Sequence, residues 1–101
     1  KYNNRNTKTY YCMWNKPKEL TSYTSDGYEC AHGGTNGYIA TAEKALTSWK
    51  NSKSHNNVII NKDIWETSKW KAIGIGIHGG FATLWFGEII DSDGSPIICD
   101  D

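Results

Sequence analysis

The chain has no excess of charge of either sign, because 11 basic residues balance 11 acidic ones among its 101 residues. Nucleic acids and anionic membranes attract proteins with a basic surplus, so we do not expect either as the main partner. The sequence also contains no apolar run near the roughly 18 residues that a membrane-spanning helix needs, and no segment with the pattern of a signal peptide. A membrane span is therefore not predicted, and the sequence is typical of a processed, mature chain.

Cysteine and the common catalytic motifs are scarce as well. The three cysteines, Cys12, Cys30 and Cys99, form no C-x-x-C pair of the kind found in zinc ribbons and thioredoxin-like sites. One intrachain bridge with a leftover cysteine in an oxidising compartment is one interpretation, and three reduced cytosolic thiols are the other. The motifs G-x-S-x-G and H-E-x-x-H and a glycine-rich phosphate loop are missing, which argues against the enzyme classes that depend on them.

Two periodic patterns indicate the fold class, and the first is helical. Between residues 41 and 51, apolar residues recur at i, i+3, i+4 and i+7, which is the spacing of one helix face. These residues are Ala42, Ala45, Leu46 and Trp49. Thr41 can cap the N-terminus, and Glu43 suits the positive first turn. We therefore predict an amphipathic helix over residues 41–51.

The second pattern is that of a β-hairpin over residues 72–87. Isoleucines alternate with glycines along its first strand, so that one face is apolar and the other is lined by glycine. The isoleucines are Ile73, Ile75 and Ile77. Residues 78–80 suit the connecting loop. The returning strand, 81–86, is apolar on both faces, which predicts a central strand covered on both sides.

Together these patterns predict a small α/β domain, an α-β-α sandwich with a mostly antiparallel sheet whose 72–87 hairpin packs on the 41–51 helix. The whole chain, 1–101, is expected to be a single domain, since this length allows one small core. Residues 1–9 are expected to form an extended arm and residues 91–101 a tail.

The connecting segments carry weaker patterns. A short strand is predicted at 28–31, and a short helix or turn is predicted after Pro17. The polar residues around His55 predict a turn, and the apolar residues 58–60 suit either a turn of helix or a buried link.

The segment Ala45–Ile60 and the hairpin after it resemble the second half of a CAP domain, the superfamily of cysteine-rich secretory proteins, antigen 5 and pathogenesis-related 1. That superfamily shows a helix ending in a Trp segment, a "sPgH" turn, an "N-I" run, and a "GvG" strand paired with a "W-x-q-x-F-G" strand. With Met13–Pro17 upstream, this chain is most similar to a bacterial branch of the superfamily.

The resemblance implies a ligand cavity. CAP domains share a cavity lined by two His and two acidic residues, which binds a divalent metal in some members. His55 matches the "sPgH" position and Glu29 matches the acid of a "G-E-N" motif, with one inserted residue. These two are the candidate catalytic and metal-binding residues, and Asn56 joins them as a candidate cavity residue. A structural His bonded to its Asn neighbours and a structural carboxylate are the alternatives.

The other two cavity positions have no match here, and this bears on cofactor and function. Zinc usually takes three or four protein ligands, so we predict no cofactor, and a divalent metal is only weakly supported. We expect a secreted, non-catalytic binding or structural module at a bacterial cell surface or in the medium, with a glycan or a lipid as candidate ligand. The alternative is a CAP-type hydrolase that acts on protein or cell-wall polymer through His55 and Glu29.

A CAP domain opens with a long helix that this chain is expected to lack, so the resemblance implies that the chain is the C-terminal part of a domain. An upstream fragment or a neighbouring subunit would then cover the second face of the sheet. Cys12 is a candidate for an interchain disulfide to that partner. We predict that Cys30 and Cys99 form an intrachain bridge.

Overall fold

The structure, a computed structural model, describes residues 11–94, and the side chains of residues 14–94. Within that part the chain forms three α-helices, one 3₁₀ turn and a three-stranded antiparallel sheet, which confirms the prediction of a small α/β domain. The elements are α1 (Tyr11–Leu20), β1 (Tyr28–Gly33), α2 (Ala42–Lys50), α3 (Lys53–Ile59), the 3₁₀ turn (Asp63–Trp65), β2 (Ala72–His78) and β3 (Phe81–Gly87). The predicted arm, 1–9, and residues 95–101 of the predicted tail lie outside the described residues.

The sheet has the strand order β1-β3-β2, so β3 is the central strand, as its apolar faces predicted. Leu84 on β3 lies opposite Cys30 on β1 and Ile75 on β2. Because side chains alternate across a strand, β3 sends its even-numbered residues to one face and its odd-numbered residues to the other. We call these the core face and the cavity face.

Helix α2 covers the core face and confirms the helix predicted at 41–51. The Thr41 hydroxyl caps its N-terminus by accepting a hydrogen bond from the Lys44 backbone N–H at 3.1 Å. Trp49 is buried, and its indole N–H donates to the backbone carbonyl of Ala31 on β1 at 3.1 Å, which fixes the helix against the sheet. The buried core consists of Cys30, Ala40, Ala45, Trp49, Ala82, Leu84 and Phe86.

The polar segment around His55 is a helix and not the predicted turn. α3 begins at Lys53 and ends at Ile59. It contains Ser54, Asn56 and Asn57, residue types that favour turns by local hydrogen bonding. Tertiary packing overrides that preference, because Val58 and Ile59 pack against the core and the Trp70 indole N–H donates to the Val58 carbonyl at 2.8 Å.

Four aromatic rings close one end of the core face. The Trp70 ring stacks on Phe86 with centroids 5.3 Å apart, and it lies 5.4 Å from Tyr28 and 5.8 Å from Trp65. Such offset and edge contacts stabilise a fold beyond the area they bury. The core face is thereby filled over β1 and β3.

The cavity face is covered in part by α1, which corrects the prediction of only a short helix or turn after Pro17. An interior proline normally disfavours a helix, because it lacks the N–H and crowds the preceding turn. Here packing compensates. The Gly27 backbone N–H donates to the Trp14 carbonyl at 2.8 Å, and a Cβ at Gly27 would lie 2.6 Å from the Pro17 ring. The chain itself therefore supplies part of a layer that we had assigned to another polypeptide.

No helix within residues 11–94 combines the length and the apolar character that crossing a bilayer would need.

Candidate ligand-binding cavity

A cavity of about 390 Å³ lies between α1 and the cavity face of the sheet. This volume falls in the range of small-molecule sites. The walls come from α1, the loop after it, the three strands and the segment after β3. Its lining includes Pro17, Leu20, Tyr23, Glu29, Gly74 and Trp85.

Helix α1 forms the upper wall and is tied to the sheet at its base. Lys18 pairs with Asp26 at 2.6 Å, which joins the helix to the turn before β1. A Cβ at Gly27 would lie 2.8 Å from the Trp85 ring, so only glycine lets the helix, the turn and this indole meet. The close packing at Gly27 therefore positions Trp85 and Pro17 as apolar wall.

Tyr23 fixes the opposite rim. Its hydroxyl donates to the Ile89 carbonyl at 2.6 Å and accepts from the Ile89 backbone N–H at 3.1 Å. A Cβ at Gly87 would collide with the Tyr23 phenol, so glycine is required there too. Two hydrogen bonds from one hydroxyl thus hold the segment after β3 against the loop after α1.

Gly74 leaves space in the floor of the cavity. It lies opposite Trp85 in the β2–β3 register. A Cβ added at Gly74 would make only ordinary contact, 3.7 Å from the Trp85 Cβ. On the glycine-lined face of β2, the structure leaves an open volume at Gly74 and not a packed neighbour.

Glu29 places a carboxyl group in this cavity. It lies opposite Trp85 in the β1–β3 register, on the cavity face, and it is partly buried. Burial raises its pKa above the usual value for a glutamate. The hydrogen bonds and ion pairs among residues 14–94 do not include the Glu29 side chain, and Lys16, a cationic residue of the same lining, pairs with Glu19 at 2.7 Å.

His55 and Asn56 do not join Glu29. Both lie on α3, which packs with α2 and whose apolar residues meet the core face, whereas Glu29 lines the cavity on the other face. His55 Nδ1 lies 2.8 Å from the Ser52 hydroxyl, and the Asn56 backbone N–H donates to the Ser52 carbonyl. The structure therefore does not show the common His55–Glu29 cavity that we expected. The contact with Ser52, the residue that precedes α3, accounts for His55.

The described part of the chain was also searched for metal ligands and reactive thiols. Within residues 11–94 no three His, Cys, Asp or Glu residues lie close enough to hold a metal ion. Cys30 is fully buried with a free thiol, and burial, together with the negative charge of Glu29, raises its pKa to about 11. The side chain of Cys12 and the whole of Cys99 lie outside the described residues, so the Cys30–Cys99 bridge and the interchain role of Cys12 stay predictions.

Most of this cavity could not be predicted from the sequence. Strand 81–86, which carries Trp85, was predicted to be covered on both faces, and no role was predicted for Tyr23 in the turn after α1. The available signal was the pair Pro17 and Gly27 on either side of that turn, but only the three-dimensional structure shows them in contact.

Comparison with protein-family models, curated proteins and solved structures gave no match for this chain.

Proposed function

We propose that the chain is a non-catalytic binding module whose ligand occupies the cavity beneath α1. The ligand is a small amphipathic molecule with an apolar body and a basic or hydrogen-bond-donating group. The body contacts Trp85 and Leu20, and the polar group meets Glu29. The single observation that carries the proposal is a carboxyl group with no hydrogen-bond or ion-pair partner among residues 14–94, in a cavity of otherwise largely apolar walls.

Burial of Glu29 carries a desolvation penalty. A partly buried carboxylate loses hydration that no neighbouring donor in the described chain replaces. A ligand ammonium group would supply that donor as a charge-assisted hydrogen bond, which is stronger than one between neutral groups. The apolar body would add the gain from removing Trp85 and Leu20 from water. Amines are therefore preferred over neutral ligands of the same shape.

This site also orders the two candidate ligands from the sequence. A glycan needs several polar partners around each sugar, and the cavity offers few. A lipid-like or otherwise amphipathic molecule suits the apolar walls better. We keep membership of the CAP superfamily, and with it secretion, as part of the proposal.

A hydrolase acting through His55 and Glu29 would need both side chains at one substrate. General acid–base partners must lie within hydrogen-bond reach of the reacting group or of one bridging water. Placement on opposite faces of the sheet does not meet that requirement, so we favour binding over hydrolysis.

The test uses phenethylamine as the probe and 2-phenylethanol as its neutral counterpart, with the Trp85 indole resonance followed by two-dimensional ¹H–¹⁵N NMR. We expect phenethylamine to bind with a Kd on the order of 1 mM, as suits a fragment of this size, and to shift that resonance. Glu29→Gln should weaken the amine about tenfold and leave the alcohol unchanged.

A matched pair of glycine variants tests the location. Gly74→Val should occupy part of the cavity floor and weaken binding of both probes, because the added side chain has open space above it. Gly76→Ala is the control, since Gly76 lies two residues along the same strand and outside the lining. Two results would contradict the proposal. One is that each probe binds Glu29→Gln as tightly as wild type. The other is that the probes bind Gly74→Val as tightly as wild type.

A further inference from the structure

We infer that β2 is a self-association edge, through which two copies of this chain pair antiparallel to form one six-stranded sheet. The strand lies at the edge of the sheet, and β3 is the described element against which it packs. Its outer side therefore carries a row of backbone N–H and C=O groups that no described strand pairs. Such a row is a template for another strand.

The side chains of this edge are unusually apolar for an exposed strand. Ile73, Ile75 and Ile77 are 40%, 70% and 46% exposed. They point to the core face, but the core there is centred on β1 and β3, and β2 extends beyond it. Natural edges are usually protected by lysine, proline or a bulge. β2 contains no proline, lysine, arginine, aspartate or glutamate.

The sequence of the strand selects a second copy as the occupant. The segment Ile73-Gly-Ile-Gly-Ile77 reads the same in both directions. A two-fold axis at Ile75 therefore sets isoleucine opposite isoleucine on one face and glycine opposite glycine on the other. Two-fold interfaces are self-complementary in this way, and an unrelated partner strand has no need of the symmetry.

Electrostatics allow the same arrangement. In this register Lys71, the charged residue that directly precedes the strand, falls opposite Gly79 of the second copy, so the two Lys71 side chains do not oppose each other. The chain carries a formal net charge of +0, so two copies do not repel at long range.

The expected dimer is weak. A seven-residue strand spans about 23 Å, and pairing two of them gives an interface at the low end of the known range, below about 1,200 Å². We therefore expect a dissociation constant for the dimer on the order of 10–100 µM. This inference does not depend on the proposed ligand, because the palindromic edge is a separate feature from the cavity.

The experiment is sedimentation velocity at protein concentrations from about 5 to about 500 µM, a range that brackets the expected dissociation constant of the dimer. A reducing agent is present, so that no disulfide through Cys12 or Cys99 contributes. Ile75→Lys and Ile75→Asp each place like charges opposite each other at the axis, and each should weaken association at least tenfold. A 1:1 mixture of the two variants should restore it, because opposite charges then meet. Ile64→Lys is the matched control, since Ile64 is 84% exposed and lies outside β2; it should associate like wild type.

Three results would overturn the inference. One is a wild-type monomer throughout the concentration range. If the β2 amides of that monomer resist hydrogen exchange, the edge is covered from within the same chain, by residues 1–10 or 95–101. Another is a dimer that Ile75→Lys leaves intact. The third is a mixture of the two charge variants that stays monomeric while circular dichroism shows both to be folded.

Discussion

The two faces of the sheet are built from alternate residues of the same strands, and they differ in how completely they are filled. On the core face, Leu84 and Phe86 are buried against helices and aromatic rings, and two indole N–H groups find backbone carbonyls. On the cavity face, Thr83 and Trp85 line an open volume into which Glu29 brings a carboxyl group. The difference indicates that one face is closely packed and stabilises the fold, while the other leaves a cavity open.

The glycines divide in a corresponding way. Gly27 and Gly87 sit where any side chain would collide with a neighbour, so they are required by packing. Gly74 has room for a side chain, and a Cβ at Gly76 would lie 3.3 Å from the Thr83 hydroxyl oxygen, a tight but not colliding contact. Packing therefore explains the first pair and not Gly74.

The largest effect on stability is expected at the tryptophans, because Trp49 lies on the core face and Trp85 on the cavity face. Trp49→Ala should lower the free energy of unfolding by about 3–5 kcal/mol, because it leaves a cavity in the core and removes the bond to Ala31. Trp85→Ala should cost clearly less, since Trp85 already borders an open volume. Urea denaturation of both variants measures this. A loss at Trp85 that equals or exceeds the loss at Trp49 would contradict the contrast between the faces.

Neighbouring residues of β1 sharpen the comparison, because Cys30 faces the core and Glu29 the cavity. With its pKa raised to about 11, the Cys30 thiol holds little thiolate at pH 8. We expect its alkylation by iodoacetamide to be at least about 100-fold slower in the folded protein than in urea. Peptide mass spectrometry identifies the labelled site. Rapid native labelling of Cys30 would refute the closed core face. Recovery of a Cys30–Cys99 peptide without reductant would instead confirm the predicted bridge.

Two glycine-to-alanine variants test the required and the permissive positions. Gly27→Ala should destabilise the protein by about 1–3 kcal/mol, because its methyl group would overlap the Pro17 and Trp85 rings. Gly74→Ala should be neutral or stabilising by up to about 1 kcal/mol, since alanine suits a strand interior better than glycine. Thermal unfolding at one pH checks both. Equal destabilisation by the two variants would show that the cavity face is packed as tightly as the contacts around Gly27.

The smallest expected effect is a pH dependence at Glu29. Burial raises its folded pKa, so its stabilising contribution is fully present below the unfolded pKa, about 4.3, and is lost as the pH rises through the folded pKa. Glu29→Gln removes that loss and should raise Tm at pH 7, with little difference near pH 4. Glu19→Gln is the control, because Glu19 is exposed on α1. If Glu29→Gln lowered Tm at pH 7, the Glu29 carboxylate would have a stabilising partner.

The sequence predicted the parts of the fold that depend on local periodicity. The isoleucine–glycine alternation and the helix spacing around Trp49 located β2, β3 and α2. It failed where tertiary contacts overrule local preference. Pro17 suggested a helix boundary, yet packing on Gly27 keeps it inside α1, and core contacts of Val58 make a helix of a Ser- and Asn-rich segment.

The candidate site was predicted in part only. Glu29 was selected from a motif and does line the cavity. His55 came from the same resemblance but belongs to a helix on the other side, because linear spacing does not say which face of the sheet an element will cover. Trp85 and Gly74 were assigned from alternation alone, which gives the face of a strand and not whether that face is filled.

The measurement that tests the central claim most directly is the titration of the Glu29 carboxyl carbon by ¹³C NMR, with and without phenethylamine. We expect the pKa of Glu29 in the free protein to lie above the ordinary value of about 4.3. The amine should lower this pKa, because it stabilises the carboxylate. An ordinary pKa in the free protein, or a raised pKa that phenethylamine leaves unchanged, would contradict the claim.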